Sequence, residues 1–142
     1  MKIVVSRNGA GFCMSIKGLY EYVLRKYGKA YIYVCTAPGI FTKQTDEEIA
    51  KNINKWLLAE AHITKEDFGD TAKDLYIHGD VMREEYIKRD DPVLIQVLED
   101  LGDDAQGPYS KIEIIDIPDD VKEWEIEEKF GYETIVEKHR KW

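Results

Sequence analysis

Apolar residues in this chain come only in short runs, such as Ile3–Val5 and Val93–Ile95, each ended by polar or turn-forming residues. A bilayer-spanning helix needs about 20 consecutive apolar residues, so no membrane segment is expected. Each run can supply one strand or one helix face, and a fold of short packed elements follows. The opening Met1-Lys2-Ile3-Val4-Val5-Ser6 has one charge and no long apolar stretch. It reads as a first strand and not as a signal peptide. At 142 residues the whole chain, 1–142, reads as a single domain, large enough to bury a core without a metal or disulfide staple.

Punctuation residues divide the runs. The turn Asn8-Gly9-Ala10-Gly11 follows the first strand. Ser15 can cap a helix whose stripe is Ile16, Leu19, Tyr20, Val23 and Leu24, and Gly28 can end it. Ala30–Cys35 reads as a strand and Pro38-Gly39 as the start of a loop. Thr45-Asp46-Glu47-Glu48 has the spacing of a capping box, and the stripe Ile49, Ile53, Trp56, Leu57 carries that helix to about Ala61. Residues 62–88 are weakly patterned, with a helical turn at Thr64–Asp67 and a strand at Leu75–Ile77 as expectations. Asp91-Pro92 opens the third helix, through Leu94, Val97, Leu98 and Leu101 to Gly102. Ile112, Ile114 and Ile117 mark a strand. Trp124, Ile126, Glu128 and Phe130 alternate with Glu123, Glu125 and Glu127, so one face is expected to be buried and one wet. Thr134–His139 reads as a hairpin partner or a final helical turn. Together these predict an α+β domain, about three helices packed on one face of a largely antiparallel four- to five-stranded sheet.

Twenty Lys and Arg against 28 Asp and Glu give a net charge of -8. That disfavours long nucleic acid, whose binding needs a track of cations, but leaves room for a small anion in a local basic pocket. Cys13 and Cys35 have no zinc or redox spacing and read as half-buried free thiols. His62, His78 and His139 lie far apart without a metal-binding pattern, so neither a metal nor a cofactor is expected. No G-x-S-x-G elbow is present. The reading therefore leans away from an enzyme.

Two segments carry ligand-like chemistry. Arg7, Asn8, Gly11 and Phe12 sit between a strand and a helix start, where backbone N–H groups, a helix dipole and an arginine can meet an anion. A tight turn needing positive φ explains the same residues. The C-terminal Lys138-His139-Arg140-Lys141-Trp142 is the main basic cluster and ends in an indole. His139, Arg140 and Trp142 suit a nucleotide, a subunit interface, or docking onto the core. The six carboxylates between Asp119 and Glu128 read as a solvated face that discourages edge pairing.

Three segments are similar to a group of small proteins encoded by tailed bacteriophages. They are Asn8-x-x-Gly11-Phe12-x-x-Ser15; Arg89-Asp90-Asp91-Pro92 through Val97-Leu98-Glu99-Asp100-Leu101-Gly102 to Ala105-x-Gly107-x-Tyr109; and Ile117-Pro118-Asp119-Asp120-Val121, Trp124-Glu125-Ile126-Glu127-Glu128, Gly131-x-Glu133, Glu137-Lys138-His139-Arg140-x-Trp142. Here Lys129-Phe130-Gly131 stands where that group tends to have Tyr-Asp-Gly, and Phe weakens the expectation of a type I′ turn. The resemblance implies a phage protein working in the host bacterial cytoplasm. It suggests a sponge that sequesters a nucleotide signal of host immunity, with Arg7, Asn8, Gly11, Phe12, Arg89, His139, Arg140 and Trp142 lining a pocket between subunits of a homo-oligomer. An inhibitor that binds a host protein is the alternative, and a nucleotide-degrading enzyme the weaker one.

Overall fold

A computed structural model describes residues 1–8, 11–57, 59–73, 75 and 81–138. The strands are β1 (Lys2–Ser6), β2 (Tyr31–Ala37), β3 (Ile40–Lys43), β4 (Ala61–Thr64), β5 (Thr71–Lys73), β6 (Ile112–Asp116), β7 (Trp124–Lys129) and β8 (Tyr132–Glu137). The helices are α1 (Ile16–Tyr27), α2 (Asp46–Asn52) and α3 (Pro92–Leu101). The fold is α+β, and the strands divide among three antiparallel sheets instead of one: β4-β2-β3-β5, β1-β6 and β7-β8. An antiparallel bridge between Arg7 and Tyr132 connects the end of β1 to β8.

The main core lies where α1 packs on α3 and β4 and where α3 meets β1. Val4, Met14, Leu19, Val23, Ile32, Ile63, Leu94 and Val97 fill it. Adjacent residues of β2 face opposite ways, so Ile32 enters this core while Tyr33 enters a smaller cluster with Phe41, Ala72, Leu75 and Val81. The four-stranded sheet is therefore covered on both faces.

The helix starts obey the sequence. Ser15 accepts from the Gly18 N–H, the Thr45–Glu48 capping box is complete, and Asp91 accepts from the Val93 N–H ahead of Pro92. Asp91 also receives the Tyr22 hydroxyl at 2.6 Å and pairs with Lys26, tying α1 to α3. Burial and this bond to the carboxylate push the Tyr22 phenol up to about 12. At Gly107 an added Cβ would meet the Cys13 sulfur at 2.5 Å, so only glycine permits that crossing.

Several boundaries differ from expectation. Pro38-Gly39 is the turn of a β2–β3 hairpin and not a loop. The second helix stops at Asn52, whose carbonyl accepts the N–H groups of both Lys55 and Trp56 and closes a turn. Ala61 instead begins β4, because pairing with β2 claims that segment. Thr64 ends β4 and starts no helical turn. Leu75 is buried, while the rest of the Leu75–Ile77 segment lies outside the described residues. Cys13 is partly buried as expected, but Cys35 is exposed. The β7 alternation holds at Trp124 and Ile126 but fades at Glu128 and Phe130, which are exposed. Phe130 (φ 54°) and Gly131 (φ 81°) form the β7–β8 turn with positive φ at both positions, as in a type I′ turn. For phenylalanine that conformation costs about 1 kcal/mol.

Candidate functional site

The sequence brings charge to two places, and the two are built differently. The first lies where β1, β8 and the chain before α3 converge. Arg89 makes a bidentate ion pair with Glu133, at 2.6 and 2.9 Å. The same carboxylate accepts the Ser6 N–H at 2.6 Å. Arg89 also donates to the Val4 carbonyl and returns its own carbonyl to the Val4 N–H. Its guanidinium lies over the Phe12 ring, 4.0 Å from the centroid. Arg7 donates to the Glu133 carbonyl at 2.9 Å and lies over the Tyr132 ring. Burial alone would raise the Glu133 pKa, but Arg89 and the Ser6 N–H outweigh it and hold the carboxyl below its ordinary value. Every charge here is answered by another group of the chain.

The structure brings Arg7, Phe12 and Arg89 together, not as an open ligand lining but around Glu133, a carboxylate of the C-terminal signature that was not among the candidate site residues. A signal for Glu133 exists. It shares its strand face with Ile135, and an acid on the apolar face of an alternating strand needs a cation nearby. The Asn8 carbonyl accepts the Gly11 N–H at 3.4 Å, and Gly11 has φ 78°, the geometry of a tight turn. His139, Arg140 and Trp142 lie outside the described residues.

The second place is an open groove of about 380 Å³ between the start of α1, the turn after α2 and the segment after α3. Trp56 and Leu57 supply apolar wall, Lys17 and Lys55 supply cations, and Asp104 is the single carboxylate in the lining. Lys17 stands 3.7 Å from Asp104. Lys55 has no ion-pair partner among the described residues. The groove therefore carries a net positive charge in a chain of -8. Ser15 spends its hydroxyl on the Asp104 carbonyl and on capping Gly18. The first-turn N–H groups of Ile16 and Lys17 have no intrahelical acceptors, and the helix dipole adds positive potential there. An indole wall, two ammonium groups and a helix start can hold a planar ring bearing an anionic group. Sequence reading placed Trp56 on a helix stripe and did not single out Lys17 or Lys55; their meeting depends on α2 ending early.

A separate cavity of about 220 Å³ is lined by Ile16, Leu19, Ile63, Val81 and Met82 with His62, Arg83 and Glu84. Burial, reinforced by Arg83, lowers the His62 pKa, and burial, reinforced by Glu85, raises that of Glu84. Both groups are driven toward their neutral forms. No group of three or more His, Cys, Asp or Glu is placed to hold a metal ion among the described residues, and no described helix is long and apolar enough to cross a membrane. No protein-family model matches the chain, and no curated protein or solved structure matches it either.

Proposed function

We propose that this chain is a binding protein that holds a small nucleotide-derived anion and returns it chemically unchanged. In the setting its resemblance implies, a tailed phage inside a bacterial host, that ligand is a signal of host antiviral immunity. The observation that supports the reading is the groove beside α1, where Lys55 is unpaired and Trp56 offers a ring face within a lining that is net positive. The site proposed here is the groove and not the Arg7–Arg89 cluster, whose guanidinium groups are already engaged by Glu133.

A thermal-shift screen against cyclic di- and trinucleotides and ADP-ribose derivatives tests this. A ligand at a hundred times its dissociation constant adds about 2.7 kcal/mol of stability. Binding should quench Trp56 fluorescence, and Trp56→Leu or Lys17→Ala with Lys55→Ala should abolish the shift. Mass spectrometry of the released ligand separates holding from turnover: an altered product replaces the sponge with an enzyme. A flat screen moves the reading to a host-protein inhibitor.

A further inference from the structure

Among the described residues, the two non-glycine residues with positive φ are both aromatic, and both stand in solvent. Tyr109 (φ 60°) is 90% exposed and Phe130 (φ 54°) is 88% exposed. Left-handed backbone suits Gly or Asn, and Asn-Gly is the favoured tip for a hairpin like β7–β8. Packing within the chain does little to offset the strain at side chains this exposed. The strand register brings the two to one end of the molecule. The Lys111 carbonyl accepts the Arg7 N–H, and Arg7 bridges Tyr132 on its other side. Tyr109, two residues before Lys111, and Phe130, two before Tyr132, therefore project from one end of the neighbouring strands β6, β1 and β8. Tyr132, 48% exposed, begins β8 at the same end.

We infer that this strand end is a self-association surface, and that it takes a second copy of the chain with Tyr109 and Phe130 as anchors. Charge identifies the occupant. At -8, two copies repel over most of their surfaces. At the strand end the signs are mixed: Arg7, Lys111 and Lys129 stand beside Glu113 and Glu128, with Arg7 and Lys111 at 3.5 and 3.7 Å from Glu113. A partner of one dominant sign meets its own sign here. A two-fold copy can set the cations of one patch against the carboxylates of the other. Exposed aromatics rimmed by such charges are the composition of interface anchors. Tyr109 follows Pro108, which lines the groove, so the surface borders the groove at that point; the inference does not depend on what the groove binds.

Sedimentation velocity over a concentration series tests it, with the full chain and with Phe130→Asn and Tyr109→Asn. Asn tolerates the left-handed conformation, so both variants keep the backbone. The wild type should sediment near twice its 16.5 kDa mass at micromolar concentration, and each variant should weaken association by roughly tenfold or more. At dilutions where the wild type is dissociated, Phe130→Asn should melt no lower than wild type. A wild type that stays monomeric to about 1 mM overturns the inference, as do variants that associate like wild type. A lower melting temperature for dilute Phe130→Asn also overturns it, since Phe130 would then serve its own fold.

Discussion

The Arg89–Glu133 cluster and the Lys55–Trp56 groove hold similar chemistry in opposite states. Both combine cations with an aromatic ring. In the cluster, one carboxylate takes a guanidinium in two hydrogen bonds and a backbone N–H besides, and Phe12 covers the guanidinium face. In the groove, Lys55 meets no carboxylate and the lining is open to solvent. The contrast teaches that residue type and motif-like spacing do not separate a fold staple from a binding site; the local charge balance does. Glu133 answers Arg89 and Glu113 answers Arg7, so two arginines with ligand-binding character become a joint between β1, β8 and the approach to α3. No equivalent carboxylate neutralises the groove, since Asp104 reaches only Lys17.

The largest expected effect tests the staple. Glu133→Gln keeps an acceptor for the Ser6 N–H but removes the charge that answers Arg89. Breaking one side of a part-buried pair should cost roughly 3 kcal/mol in urea unfolding. Combining it with Arg89→Met removes the stranded cation and should recover much of that loss, because replacing both partners is far less costly than orphaning one. If Glu133→Gln costs less than about 0.5 kcal/mol, a surface-like value, the Arg89–Glu133 pair is no staple, and Arg89 returns as a ligand candidate.

A smaller effect separates the cluster's charge from its shape. Glu133 and Asp91 both have pKa values held below their ordinary 4.5 and 3.8: burial opposes this, and it is outweighed by Arg89 with the Ser6 N–H in one case and by Lys26, Tyr22 and the Val93 N–H in the other. A depressed carboxylate contributes stability that is present above its unfolded value and lost as pH falls through its folded value. Wild-type melting temperature should therefore drop as pH falls below about 4.5. The gap between wild type and Glu133→Gln should narrow over the same range, because acid protonates the carboxylate that the substitution has already neutralised. His62, lowered by burial and Arg83, adds a loss of stability that begins higher, as pH falls below its ordinary 6.5. A gap that stays constant from pH 7 to pH 3 would show that the substitution acts through packing alone.

What the sequence made legible follows the same division between local and distant causes. Capping is local chemistry, so Ser15, Thr45–Glu48 and Asp91-Pro92 place the starts of α1, α2 and α3 without reference to the rest of the chain. Where helix ends where strand begins after α2 depends on a distant partner. The pairing of Ala61–Thr64 with β2 overrides a helical stripe that the spacing of Trp56 and Leu57 extends. The division into three sheets is distant in the same way, since β1 pairs with β6 more than a hundred residues later. The resemblance grouped Arg7, Phe12 and Arg89 as ligand residues; that Arg89 is held by Glu133 depends on the fold, which sets β8 beside β1. The groove was not legible, because its lysines lie 38 residues apart and each alone is an ordinary surface residue.

The smallest effect on stability is expected at the groove, and its smallness is informative. Lys55 is exposed and unpaired among the described residues, so Lys55→Glu removes no contact of the fold and should change unfolding free energy by no more than about 0.5 kcal/mol. The same change leaves Lys17 opposed by two carboxylates in the lining where it had one. The groove then turns from net positive to net negative, and its attraction for an anion is lost. Any nucleotide shift seen with wild type should vanish in a protein whose own melting temperature has barely moved. Lys55→Arg, which keeps the charge, should retain the shift. If Lys55→Glu instead destabilises the free protein by about 2 kcal/mol, Lys55 is a structural cation like Arg89, and the contrast between the two regions fails at its weaker end.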